Sequence, residues 1–120
     1  MGAKMVSLDM AGFYELDVET IDSTVTRTCC GNYGLGYIKD GDFYVKYVGR
    51  SDTDLKARLK NHIGNYKYFK YSYATSPKAA FEKECQNFHD FGETEKLDNK
   101  MHPDRPKDTN WKCPVCKIYG

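Results

Sequence analysis

At 120 residues, with 29% of them charged and a formal net charge of +1, the chain has the length of one domain around one modest core, without the overall basicity of a protein that coats nucleic acid. No run of about 18 apolar residues occurs, which argues against a membrane partner, and acidic residues fall near the N-terminus where a secretory signal needs an unbroken apolar segment. The expected setting is intracellular, in the cytoplasm, where five cysteines point to metal ligation or free thiols rather than disulfides.

Residues 1–30 carry two basic and five acidic side chains, a local charge of −3. They read as an acidic extension on the core, with enough apolar residues for a strand or a short helix. From Gly31 the pattern sharpens. "YGLGYI" and "FYVKYVG" are β-prone runs around "KDGD", and Asp40-Gly41 is a hairpin signal. Gly34 and Gly36 weaken the first strand or admit a close neighbour. Next comes a short helix, capped by Ser51 or Asp52 with Asp54 in its first turn and closed by Gly64. "KYFKYSYA" alternates as a third strand. Its interleaved lysines and aromatics also resemble a single-strand-binding surface, but strand periodicity accounts for them. The next helix has Ser76 as N-cap, Pro77 at its first position and Gly92 at its end. Residues 93–120 read as loop. The order predicts an α+β domain, a small three-stranded antiparallel sheet flanked by helices, with a core over 31–103 and a C-terminal segment over 104–120.

Residues 44–70 hold seven basic against two acidic side chains, a basic segment in a neutral chain that suits contact with a polyanion on one face. Solvated lysines are the ordinary alternative. At about 100° per residue, Lys56 and Lys60 fall on the outer face of the first helix. Arg58 and His62, one turn apart, fall beside Leu55, Leu59 and Ile63. On the second helix Glu84 lies between Phe88 and Phe91. A carboxylate there requires a cation, because burying it alone costs several kcal/mol; a salt bridge to Arg58 would meet that need without any catalysis. Tyr33, Tyr37, Tyr44 and Tyr47 crowd the hairpin. Arginine for a phosphate, a carboxylate for a divalent metal, and tyrosine or histidine for proton transfer are the components of metal-assisted phosphodiester hydrolysis.

These residues resemble the GIY-YIG nucleases. "GNY" (Gly31, Asn32, Tyr33) is similar to the first half of that family's signature and "YVG" (Tyr47, Val48, Gly49) to the second. Arg58 stands where the family has its helical arginine, and His62 follows one turn later. Glu84 falls in the helix that carries the metal-binding glutamate, and Asn99 resembles the asparagine after it. The resemblance implies a DNA endonuclease in which Glu84 holds a single Mg²⁺ or Mn²⁺ and Arg58 clamps the scissile phosphate. Tyr33 would take the proton from water, Tyr47 would orient that water or the phosphate, and His62 would assist proton transfer. Arg50, Lys56, Lys60 and Asn99 would contact double-stranded or branched DNA, Asn99 chiefly by pinning a loop, with a protein partner as one source of specificity. Asn32 departs from the family, which has an apolar residue there. A non-catalytic nucleic-acid- or protein-binding module on the same scaffold is the alternative, and a zinc-stabilised structural domain is a third. The hairpin supplies a test. A plain two-residue loop would pair position 34 with 47 and set Tyr33 and Tyr47 on opposite faces, so a shared role requires an irregular hairpin.

Cys113-x-x-Cys116 is a zinc half-site. Cys85 and His89, four apart on the flank of the second helix away from Glu84, complete an expected Cys85/His89/Cys113/Cys116 site for structural Zn²⁺, tying down the C-terminal loop. Cys29, Cys30 and His102 are alternative ligands. Unmetallated thiols, or a redox pair lacking its thioredoxin-like context, are the competing readings.

Overall fold

A computed structural model describes residues 8–116. Two elements precede the hairpin: β1 (Ala11–Glu15) and α1 (Val18–Thr24). The hairpin is β2 (Gly31–Lys39) and β3 (Asp42–Ser51), followed by α2 (Leu55–Lys60), β4 (Tyr68–Tyr73), α3 (Pro77–Asp90) and the single turn α4 (Glu93–Lys96). The strands form one antiparallel sheet in the order β1-β4-β2-β3. Among the described residues no helix is long and apolar enough to cross a membrane.

The sheet therefore has four strands, not the three expected, and the fourth comes from the acidic N-terminal stretch. That stretch also completes the core. Asp17 caps α1, accepting from Thr20 N at 2.7 Å. Behind the cap, Ile21 and Val25 pack with Leu16, Leu35, Leu55, Leu59 and Phe69. These residues lie on the face of the sheet covered by α1 and α2. The opposite face, where Asn32, Val48 and Arg50 project, is covered by α3, whose Phe88 joins Val48, Leu8 and Leu97. Asn32 is buried there and donates from Nδ2 to Ala80 O at 2.8 Å. It stitches β2 to α3 by a hydrogen bond where the family pattern has an apolar contact.

The hairpin is irregular, as a shared role for the two tyrosines requires. Asp40 and Gly41 form a two-residue loop with φ of 53° and 84°, the left-handed pair of a type I′ turn. Pairing then shifts between Gly36↔Val45 and Leu35↔Tyr47, leaving Lys46 as the extra residue of a bulge. The shift turns Tyr47 onto the face of Tyr33.

Local chemistry moves one cap and shortens one helix. Asp54, not Ser51 or Asp52, caps α2, accepting from Ala57 N at 3.2 Å, and Ser51 Oγ in turn accepts from Asp54 N at 3.0 Å. The helix ends at Lys60, and turns carry the chain through His62 and Ile63. Ser76 caps α3 through Ala79 N at 3.0 Å with Pro77 at the first helical position, as the sequence predicts.

Candidate functional site

A cleft of about 290 Å³ opens at the β3 edge of the sheet, lined by Tyr33, Tyr47, Gly49, Arg50, Arg58 and Glu84, with Asp52, Thr53 and Asp104 at its rim. Its walls come from β2, β3, α2 and α3, so the fold brings Tyr33, Tyr47, Arg58 and Glu84 together from four elements. Gly49 makes this geometry possible. It pairs with Tyr33 across the hairpin, and a Cβ there would lie 2.4 Å from both Cζ and the hydroxyl oxygen of Tyr33. Without a side chain at 49, the ring crosses the backbone and the hydroxyl reaches the cleft.

Tyr33 is 1% exposed. Its hydroxyl lies 2.9 Å from His62 Nε2, and its ring stacks on Tyr47 with centroids 6.4 Å apart and planes 18° from parallel. The His62 ring packs 5.3 Å from both tyrosine rings. Burial pushes the Tyr33 hydroxyl well above the usual phenol value, reinforced by Tyr47 and only partly opposed by Arg58. Tyr47 is raised by burial and by the charge of Glu84. His62 is lowered, by burial and then by Arg58. With the protein's own groups alone, the site holds two neutral phenols and a neutral imidazole at pH 7.

Glu84 is buried, and burial raises its carboxyl against the pull of Arg50. The ion pair is made by Arg50, whose Nη1 donates to Glu84 Oε1 at 2.5 Å, and not by Arg58. Arg50 also donates from Nε to Asp52 at 2.9 Å and from Nη2 to Asp104 O at 2.6 Å, and its guanidinium lies 5.2 Å from the centre of the Phe81 ring. Around Arg50 the pull of Glu84 and Asp52 outweighs burial and raises its pKa. Arg50 thus works within the protein, because position 50 projects onto the α3 face. Arg58, on α2, is left in the cleft.

The remaining expected contact residues have internal partners too. Lys60 Nζ is 2.7 Å and Lys56 Nζ 3.8 Å from Asp22 on α1. Asn99 accepts from Val48 N at 3.0 Å and donates to Val48 O at 2.8 Å, while the carbonyl of the bulged Lys46 accepts from Asp98 N at 2.5 Å. Residues 98–99 thereby cover the open edge of β3.

A second cluster lies beyond α3. One ligand atom each from His89, His102, Cys113 and Cys116 come within 4.8 Å of one another, a set that could hold a metal ion such as zinc. Three of the four are the expected ligands. The fourth is His102; Cys85 is wholly buried in a cluster with Phe81 and Cys113, with Trp111 packed against it, and is not among the four. Spacing places Cys85 and His89 on one flank, but Cys85 lies beside Cys113 and outside the set of four whose ligand atoms meet, and its thiol is raised by burial and then by Cys113. At Cys113 burial pushes the same way but is outweighed by backbone N–H groups of Cys116 and Val115 and by His102, which bring the thiol to about 6. Cys29 and Cys30 lie outside this cluster, their thiols directed at Ala74 O.

Sequence reasoning missed Arg50 as the partner of Glu84, and Asp22 and Asp104 altogether. Only His102 had a signal, as an alternative ligand. In comparison with known proteins, no family model, no curated protein and no solved structure matches this chain.

Proposed function

We propose that the chain is a GIY-YIG-type endonuclease that hydrolyses DNA phosphodiester bonds with one divalent ion. The observation that carries this reading is the convergence of Tyr33, Tyr47, Arg58 and Glu84 on one cleft, with His62 within hydrogen-bonding distance of the Tyr33 hydroxyl. Arg58 holds the scissile phosphate and offsets the charge that develops on it. Tyr33 takes a proton from the attacking water as its own hydroxyl proton passes to Nε2 of neutral His62. This relay avoids a free phenolate, which burial disfavours. Tyr47, stacked on Tyr33, orients the phenol.

The donor set suits the ion. Glu84 is a hard oxygen ligand with a second carboxylate oxygen besides the one that accepts from Arg50, and Mg²⁺ takes few protein oxygens and retains water. When bound, Mg²⁺ or Mn²⁺ supplies Lewis-acid activation of the phosphate and stabilises the leaving oxygen.

The test is nicking of supercoiled plasmid in Mg²⁺ or Mn²⁺. Wild type nicks, and Glu84→Ala and Arg58→Ala each lose at least about a hundredfold in rate. Cleavage untouched by Glu84→Ala refutes the metal role. The Arg50–Glu84 ion pair favours a second reading, a non-catalytic binding module with Glu84 purely structural. DNA retained in a mobility shift, with no cleavage in either metal, selects it.

A further inference from the structure

We propose that His89, His102, Cys113 and Cys116 bind one Zn²⁺ as a closed, four-coordinate structural site, and that this ion seats the segment leading from His102 against the wall of the cleft. The ligand chemistry selects the metal: two thiolates and two imidazoles suit zinc and leave Mg²⁺ and Ca²⁺ without the oxygens they require. A tetrahedral zinc site places its ligand atoms about 3.3 to 3.8 Å apart, given the usual Zn–S and Zn–N lengths. Here Cys116 Sγ and His102 Nε2 are 3.4 Å apart, and no pair in the set exceeds 4.8 Å.

The far nitrogens of both histidine rings are already held by hydrogen bonds. His89 Nδ1 donates to Glu93 Oε2 at 2.6 Å and His102 Nδ1 donates to Pro103 O at 2.8 Å, which turns each Nε2 toward the cluster as metal-binding histidines require. His89 Nε2 is buried and has no hydrogen-bond partner among the described residues. A buried ring nitrogen left unpaired is costly, and a zinc ion satisfies it. Val115 N lies 3.5 Å from Cys113 Sγ, which supports that sulfur as a thiolate.

The fold also needs the cross-link. Residues 97–116 contain no helix or strand, and so long a structureless run inside a small domain calls for an anchor. Trp111 against Phe81 and Arg105 Nη1 on Trp111 O at 2.7 Å are part of that anchor. From His102 the chain runs through Pro103 to Asp104, whose carbonyl receives Arg50, the residue that holds Glu84. A zinc ion at one end of this run thus fixes a wall of the cleft at the other.

Three measurements on the full chain test this without reference to DNA cleavage, so inactivity on DNA leaves the outcome unaffected. Elemental analysis of reduced protein, prepared without a metal-binding tag, should find one zinc per chain in wild type and in Cys85→Ala. His102→Ala and Cys116→Ser should hold below about a tenth of that, with the sheet retained by circular dichroism. Full zinc in His102→Ala overturns the ligand set. Should the variants fail to fold, Co²⁺ titration of wild type decides. Intense four-coordinate absorption with thiolate charge transfer, saturating at one equivalent, supports the site; a weak six-coordinate spectrum overturns it. On chelation, amides over 102–106 should exchange at least about tenfold faster. Unchanged exchange there overturns the seating of the cleft wall.

Discussion

Arg50 and Glu84 form an ion pair of 2.5 Å between β3 and α3, both side chains 11% exposed, at the floor of a cleft that also holds Arg58. The pair is closed on one side by Asp52 and on another by the Asp104 carbonyl. Breaking such a buried pair from one end strands a charge, at a cost of about 3–5 kcal/mol. Arg50→Met should lose stability on that scale in urea unfolding. Arg50→Met with Glu84→Leu should recover most of it, because two apolar side chains leave nothing uncompensated. A double variant as unstable as the single one contradicts this account of the pair.

The same carboxyl gives a pH signature. Burial holds the Glu84 pKa above its usual value even beside Arg50. The folded state therefore binds this proton more tightly than the unfolded one. The contribution is fully present below the unfolded value of about 4.3 and is lost as pH rises through the folded value. Glu84→Gln cannot titrate, so its stability relative to wild type should improve as pH rises from about 4 to 6. Parallel stability curves over that window would be the contrary result.

His62 works in the opposite sense. Burial and Arg58 depress its pKa, so its neutral form favours folding. That contribution is present above the unfolded value of about 6.5 and is lost as pH falls through the lower folded value. An NMR titration of the His62 ring should give a pKa below 6.5 in wild type. The nicking rate should rise with pH through the wild-type value, since the relay needs neutral His62. A rate indifferent to pH across it would remove His62 from proton transfer.

Gly49 cannot take a side chain unless Tyr33 moves. A Cβ would meet the Tyr33 ring and hydroxyl at 2.4 Å, and that ring is enclosed by the core. Gly49→Ala should cost at least about 1–3 kcal/mol as overpacking, read as a lowered thermal midpoint. It should also disturb the His62 titration, because the ring can yield only by moving its hydroxyl. An alanine variant as stable as wild type, with His62 unchanged, would mean that the ring is not held there.

How far these features were legible in the sequence depended on whether the signal was local. Ser76-Pro77 set the start of α3 through one hydrogen bond and one fixed φ, and Asp40-Gly41 set the turn, so both could be read from a few residues. Helix periodicity placed Arg58 and Glu84 beside the apolar stripes of α2 and α3, and His62 reached the same neighbourhood through the turn that follows α2. Periodicity named Arg58 as the partner of Glu84 where the structure has Arg50, since that depends on how β3 sits over α3 once a bulge has shifted the register. β1 and α1 stayed hidden for another reason. Their core residues, Leu16, Ile21 and Val25, are divided among a strand end, a seven-residue helix of about two turns and its cap, too short for either period to repeat. Cys85 drew attention through its spacing to His89, but depth below the surface, which spacing does not encode, assigned it to the apolar cluster and left His102 beside the CxxC.

Asn99 separates a structural role from a substrate contact. Its amide accepts from the N–H and donates to the C=O of Val48, copying a strand partner for one residue on the open edge of β3. Both groups are buried, so removing the amide leaves a donor and an acceptor unsatisfied, each worth about 1–3 kcal/mol. Asn99→Ala should therefore destabilise by a few kcal/mol and expose the Val48 amide to hydrogen exchange. Asn99→Asp is the sharper variant. Its carboxylate can still accept from Val48 N but faces the Val48 carbonyl with no proton to donate, so it should be destabilised as well, in the absence of any DNA. If Asn99 instead served the substrate, Asp would leave stability and Val48 exchange unchanged and would weaken only DNA binding. That outcome would return Asn99 to the set of residues that meet the phosphate backbone.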